Sequence, residues 1–358
     1  MERADVVVIG AGAMGSATAY GLAGDGRDVV LLEQFERGHD RGSSHGATRI
    51  FRYGYPDPMY VEMVKAALSQ WRAIEAEAGT VLVERTGAVD HGEEQSIAEV
   101  AEAMRLAGVD HEHLSPAEAE ARWPGMRFDT TVLFHPDGGR CLADRAVRTL
   151  QDLAAVRGAT VHFGTGRATL HPSDDHVIMR AGESEWRAPV AVVTAGGWVA
   201  KVLDRSGPAV RVTQEQVQHF ARRGDASDWP SFIHRRGPWH YGLSTPAEGV
   251  KVAAHLAGVE VDPDDRPSRD DRLERDIVAY VERWLPGLDP TPDHRSTCLY
   301  TSTADEDFVI DRSGPVVVGS ACSGHGFKFA PLVGRLLADL AEGRPLPAEM
   351  AARFRLDR

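Results

Sequence analysis

At 358 residues, with 42% hydrophobic and 26% charged side chains, the chain is globular in composition and longer than one simple core uses, so two domains are expected. Its net charge of −13 argues against nucleic acid or an anionic membrane as partner, because both call for a basic face. No stretch approaches the ~18 apolar residues of a membrane span, MERADVVVIG lacks the basic start of a secretory signal, and three widely spaced cysteines make no disulfide framework; a cytoplasmic protein is expected.

Asp5–Ile9 is a β-branched run that reads as a strand buried on both faces. Gly10-Ala-Gly12-Ala-Met14-Gly15 follows, and Met14–Leu22 reads as a helix rich in small residues. This is G-x-G-x-x-G in a strand–turn–helix context, the pattern of dinucleotide binding. Gly10 permits the tight turn, Gly12 lets backbone approach a pyrophosphate, and Gly15 lets helix and strand pack closely. The phosphates would lie at the helix N-terminus, where free N–H groups and the dipole favour anions. Val29–Glu33 is a second buried strand, and Glu33 stands where a carboxylate meets ribose hydroxyls. The motif itself fits NAD or FAD. Its place at the extreme N-terminus, with no regular run of alternating strands and helices after Glu33, favours FAD.

Residues 34–58 form a Gly-, Ser-, His- and Arg-rich loop of a length that is usually functional or disordered. Tyr60–Ala78 reads as an amphipathic helix, and a short strand ends at "VDHG" near residue 90. Ser115-Pro-Ala-Glu118 is a capping box with Pro at the first helical position. Leu142–Arg157 is helical, strands follow near 160–163, 167–171 and 176–180, and 188–203 reads as strand, Gly turn and helix. From Ala209 to Tyr300 strands dominate, interrupted by a helix over Ser268–Leu285 with Ser268 as its cap. The last segment reads strand, turn, strand, Gly-rich loop, then a helix ending near Gly343.

Six ordered segments share one resemblance: the N-terminal Gly motif with Glu33, "GSSHGATRIFR" (42–52), "TAGGW" (194–198), "GVKVAAH" (249–255), "CLYT" (298–301) and "SGHGFKF" (323–329). Together they resemble the flavin-dependent amine oxidases of the D-amino-acid-oxidase superfamily, and most nearly its sarcosine oxidase and N-methyltryptophan oxidase family. The resemblance covers nearly the whole chain. It implies a mixed α/β (α+β) fold: a Rossmann-like FAD-binding domain from residues 1–82, 143–208 and 302–358, and a mostly antiparallel-sheet substrate domain from 83–142 and 209–301.

The family tethers FAD through a cysteine thioether, and Cys298 matches that position. A thiol near cationic groups is expected to have a lowered pKa and to be a good nucleophile. Cys141 and Cys322 read as small buried hydrophobes. Arg49 matches an arginine near the flavin, with His45 beside it. Lys251, one of only four lysines in the chain, matches the lysine that promotes reaction with oxygen. A fixed positive charge in a dry site stabilises the superoxide formed by the first electron. Arg52 and Lys328 would take a substrate carboxylate, Arg52 by its bidentate fork. Tyr241, His255 and Tyr300 match the substrate face. Met14, Ser44, Thr48, Gly324, Gly326 and Lys328 join the cofactor-binding set, and His325 is expected near the pyrimidine end. No metal-ligand set is expected.

Departures from the family pattern cluster near the expected substrate entrance: Trp239 and His240 before the pocket tyrosine, Pro56 after Arg52, and Cys322 in place of a larger apolar residue. The expected function is a monomeric FAD-dependent oxidase of a secondary amino acid, N-methylated or cyclic, with O2 as acceptor and H2O2 as product. Alternatives are a natural-product tailoring oxidase on a larger cyclic imino or amino acid, an FAD dehydrogenase passing electrons to a protein acceptor, and a nicotinamide-dependent dehydrogenase.

Overall fold

The computed structural model describes residues 1–224 and 229–358. The N-terminal β-branched run forms the strand Val6–Ile9, with all four side chains buried. Such a strand is apolar on both faces because helices cover both faces of a parallel sheet. It lies inside a six-stranded sheet ordered Thr160–His162, Val29–Leu32, Val6–Ile9, Val190–Val193, Val316–Ser320 and Val309–Ser313. The first five strands run parallel, and the last is antiparallel to its neighbour. The helix Ala13–Gly24 connects the first two strands in sequence and packs on the helix Ala330–Ala341. Small residues allow this: a Cβ on Gly334 would stand 2.5 Å from that of Ala17.

A nine-stranded sheet forms the second layer system. Its long strand Arg211–Arg222 pairs antiparallel with Leu288–Ser302 and with Gly249–Ala254. Ala88–Gly92 and Ser231–Arg235 make a parallel pair within it. On one face, Val217, Ala253, Cys298 and Tyr300 cluster, with Tyr241 packed against them. On the other side the helix Asp271–Trp284 buries Leu273, Ile277, Tyr280, Val281 and Trp284.

Several boundaries differ from the sequence reading. The helix expected from Ser268 begins at Asp271, and Asp270 caps it by accepting from the Arg272 N–H at 2.8 Å. A carboxylate at that end also meets the positive pole of the helix. The helix expected at Tyr60 begins at Pro58, with Asp57 as cap, and closes on Gly79 in the left-handed conformation at φ 64°. The first helix extends to Gly24 rather than Leu22. The long loop 34–58 contains a strand, Thr48–Phe51, paired with Gly139–Leu142. A short helix, Ala348–Arg353, follows the one that ends the sequence reading. The capping box at Ser115 and Glu118 is formed as expected. No described helix is long and apolar enough to cross a membrane.

Candidate active site

A cavity of about 1080 Å³ runs from the Gly-rich turn to the nine-stranded sheet. Every residue expected for the site except Gly15 lines it. Gly15 lies behind the turn: a Cβ there would stand 1.8 Å from the Gly10 carbonyl oxygen. Gly10 itself sits at φ 98°, with the Thr194 carbonyl 2.6 Å from where a Cβ would be. The turn is therefore closed against both strand and neighbouring loop, and its Gly10 N–H donates to the Leu32 carbonyl at 2.8 Å.

Glu33 is buried and faces the same end. One carboxylate oxygen accepts from the Ala11 N–H at 2.9 Å and the other from the Phe35 N–H at 3.1 Å. Ser44 Oγ accepts from the Ala13 N–H at 3.1 Å. Gln151, which no motif in the sequence marks, donates to the Ala11 carbonyl at 2.8 Å. Thr48 Oγ1 lies 2.8 Å from Thr245 Oγ1, joining the loop to the large sheet.

Arg49 is not a surface ion-pair group. Its guanidinium donates to the carbonyls of Thr48 at 2.8 Å, Ser43 at 2.8 Å and His45 at 2.6 Å. Beside it, burial and then the Arg49 charge hold His45 down at about 4, and His45 Nε2 has no partner. Lys251 is buried, and Nζ donates to the Thr48 carbonyl at 2.6 Å. Burial, then Arg49, pushes the ammonium down to about 7.

Cys298 is 7% exposed and lines the cavity. Its thiol is not lowered as the sequence reading expects. Burial pushes it up to about 11, against the pull of Arg49 and Lys251. Desolvating an anion outweighs two nearby cations here. Cys141 is fully buried, as expected for a core thiol. Cys322 is only partly buried and lines the cavity, with its sulfur 3.4 Å from the Thr301 N–H.

At the far end, Lys328 is 3% exposed and donates to the Tyr55 hydroxyl at 2.8 Å and the His325 carbonyl at 2.5 Å. Burial, then Arg52, holds it well below the ordinary lysine range. His325 Nε2 faces the Glu306 carbonyl at 3.1 Å, so that nitrogen carries the proton and Nδ1 accepts from the Tyr55 hydroxyl at 3.2 Å. The Arg52 guanidinium lies 4.3 Å over the Tyr55 ring and donates to the Gly54 carbonyl. Tyr55 thus links both cations, a role the sequence reading missed; the aromatic run "YGYPDP" was its signal. Among the described residues neither Arg52 nor Lys328 forms a salt bridge with a carboxylate. Tyr241 and Tyr300 hydroxyls are 3.3 Å apart, and burial raises both. The His255 ring stands 5.8 Å from that of Tyr300 and is held at about 4 by burial, then Arg52. A Cβ on Gly324 would strike Tyr300 at 2.4 Å, and one on Gly326 the Ala321 carbonyl at 1.8 Å.

Trp239 and His240 line the cavity, so these departures from the family pattern fall at the site. Pro56 does not line it. Away from the cavity, His91, Asp129 and His234 offer ligand atoms within 4.8 Å of one another. Asp129 is already paired with Arg236 at 3.0 Å.

The cradle of Gly10, Gly12 and Gly15, Glu33 at the strand end and the cavity volume fit an FAD. The chain matches the family model described as FAD dependent oxidoreductase (DAO) over residues 5–340. It is 33% identical to peroxisomal sarcosine oxidase of Mus musculus, over 99% of this chain and 96% of that one. It is 30% identical to monomeric sarcosine oxidase of Bacillus sp. (strain NS-129), over 94% and 92%. The solved structure of NikD, described as an unusual amino acid oxidase essential for nikkomycin biosynthesis, superposes with TM-score 0.89 at 25% identity, over 99% and 98% of the two chains. L-proline dehydrogenase from P. horikoshii, at 20% identity and TM-score 0.87, shares the fold. A turn built for a dinucleotide, a cavity whose wall carries Arg49, Arg52, Lys251 and Lys328 among aromatic groups, and near full-length relatives converge: the chain belongs to the DAO family of FAD-dependent oxidoreductases, as an FAD-dependent amino acid oxidase of the sarcosine oxidase type.

Proposed function

We propose that the protein oxidises a secondary amino acid, N-methylated or cyclic, to its imine and passes the electrons to O2, giving H2O2. The observation that carries this reading is the pair Arg52 and Lys328. Both face the cavity, and neither has a carboxylate partner among the described residues. A guanidinium and a desolvated amine side by side in this wall call for an anion, whose charge would offset the downward push on Lys328, and a substrate carboxylate supplies one. Arg52 offers a planar fork and Lys328 a point charge.

FAD, when bound, supplies the hydride acceptor and the reduced centre that O2 reoxidises. Gly10, Gly12, Gly15, Ser44 and Glu33 would hold its adenosine and phosphate portion. Cys298 is proposed as the tether to the flavin ring by a thioether. Lys251 and Arg49 would set positive charge where oxygen is reduced. His255, held at about 4, is neutral at pH 7 and adds no charge against an incoming amine. Burial raises Tyr241 and Tyr300, so neither serves as a base near neutrality. The substrate amine would therefore react in its deprotonated form.

A larger cyclic imino acid is a second reading, supported by Trp239 and His240 on the cavity wall and by the likeness to NikD. A monomer in the cytoplasm belongs to the same proposal. Peroxide release from purified protein given sarcosine, N-methyltryptophan, L-proline or L-pipecolate tests the function. Peroxide with one of these and no added protein acceptor is the expected outcome; flavin reduction without peroxide would leave a dehydrogenase instead.

A further inference from the structure

Behind the cavity wall lies a buried ion pair that the mechanism above does not use. Asp90 and Arg235 occupy adjacent parallel strands, and they are 0% and 1% exposed. Arg235 Nε donates to an Asp90 carboxylate oxygen at 2.8 Å. The other Asp90 oxygen is 3.3 Å from His135 Nε2. Against the upward push of burial, the Arg235 charge holds the Asp90 carboxyl below its ordinary range, so the pair is ionic. Neither residue lines the cavity.

The pair reaches the cavity through two contacts. First, an Arg235 terminal nitrogen donates to the Gly54 carbonyl at 2.6 Å, and the same carbonyl accepts from Arg52. Two guanidiniums share one acceptor, one behind the wall and one on it. Gly54 is pressed against the pair so closely that a Cβ would stand 2.2 Å from an Asp90 oxygen. Second, the Arg235 guanidinium lies 4.8 Å from the centre of the Trp239 ring. Trp239 in turn faces His255 at 6.1 Å with rings 19° from parallel, and its carbonyl accepts from the His255 N–H at 2.8 Å.

Stability alone is a poor reason for this arrangement. A buried ion pair replaced by apolar side chains of similar volume often leaves a fold no less stable. Setting Arg235 near Arg52 is itself unfavourable: after burial, Arg52 is among the charges that lower Arg235. What the pair gives is a fixed position for the Gly54 carbonyl and for the Trp239 ring, hence for the carboxylate fork and the wall beside it.

We propose that Asp90 and Arg235 are positioning residues that hold Arg52 and Trp239 in register for an amino acid whose carboxylate lies on Arg52 and whose side chain or ring lies toward Trp239. The inference rests on the reading of Arg52 as a carboxylate site. Its test uses the holoenzyme and acetate, a carboxylate with no amine to oxidise, with the dissociation constant read by calorimetry and the fold read by thermal unfolding. The double variant Asp90→Leu/Arg235→Met removes both charges together. It is expected to melt near the wild-type temperature and to bind acetate roughly 10-fold more weakly, as when a charge-assisted contact is misplaced. If the double variant melts early, Arg235→Lys, which keeps the charge opposite Asp90 but not the fork to Gly54, is measured in its place and is expected to weaken acetate equally. Arg52→Met serves as the reference. If Arg52→Met weakens acetate and the pair variants do not, the positioning role is overturned while the carboxylate site stands. If Arg52→Met leaves acetate binding intact, the carboxylate site itself fails.

Discussion

Lys251 Nζ and the Thr48 carbonyl oxygen are 2.6 Å apart, and this bond ties the large sheet to the loop that follows the Gly-rich turn. Among the described residues it is the one hydrogen bond of an ammonium that is otherwise desolvated beside Arg49. With its pKa near 7, Lys251 loses its proton as pH rises through neutrality. The rate of reoxidation of reduced enzyme by O2 is therefore expected to fall as pH rises above about 7, and Lys251→Met should abolish that dependence. Loss of the charge should slow reoxidation by about 10²–10³-fold, the scale of removing one preorganised electrostatic group, and slow reduction far less. Stopped-flow measurement of both half-reactions decides this; equal slowing of the two would remove the oxygen role. The same shift has a stability consequence. The unfolded chain keeps the proton up to the ordinary value of 10.5, so the fold gains stability as pH rises from about 7 to that value.

Cys298→Ala is expected to leave a folded, yellow protein whose colour passes into the supernatant on acid precipitation, whereas the wild-type colour stays with the pellet. The thiol sits at about 11, so tethering should speed up as pH is raised when apoprotein is mixed with FAD. A wild-type pellet without colour would dismiss the tether.

Arg52→Met and Lys328→Met should each raise KM for a carboxylate-bearing substrate roughly 10–100-fold, the range for a lost hydrogen bond to a charged group. An amine lacking the carboxylate should be indifferent to both changes. Steady-state peroxide assays with the two substrate types give the comparison, and parallel losses for both would contradict a carboxylate site.

Gly15→Ala places a methyl 1.8 Å from the Gly10 carbonyl oxygen and 2.5 Å from Thr194 Oγ1. Backbone must move, which costs about 3 kcal/mol at the upper end of overpacking. The apoprotein is expected to melt several degrees lower and to retain less FAD after gel filtration. Gly26→Ala meets nothing within 4 Å, although its φ of 77° strains any side chain; it should lower stability without loss of FAD.

The parts of this molecule that were legible in its sequence are those with a local cause. A β-branched strand followed by three glycines at fixed spacing has few other physical uses, and the turn from Gly10 to Gly15 is built as that pattern requires. A lysine between valines in a strand announced itself through the cost of burying it, and Lys251 is buried. What the sequence hid depends on distance along the chain or on desolvation. Asp90 and Arg235 meet across 145 positions, and each alone reads as a surface charge. Gln151 reaches Ala11 from a helix that carries no motif. The neighbours of Cys298 could be named in advance, but the depth of its burial could not, and depth set the direction of its shift. The helix start at Asp271 turned on which of several capping side chains, Ser268 or Asp270, met a free N–H.

The six-stranded sheet draws its members from residues 6 to 320, and the strand Val190–Val193 lies between the first strand and Val316–Ser320. The Gly-rich turn at residues 10–15 and the loop Gly324–Lys328, which line one cavity, are therefore more than 300 residues apart in the chain. A ribosome that has delivered only the N-terminal half exposes apolar strand edges and has no Gly324–Lys328 loop to close the cavity. With the flavin site as proposed, loading follows synthesis of that loop, and a chain stalled before residue 316 is left with an open sheet edge of the kind that chaperones cover.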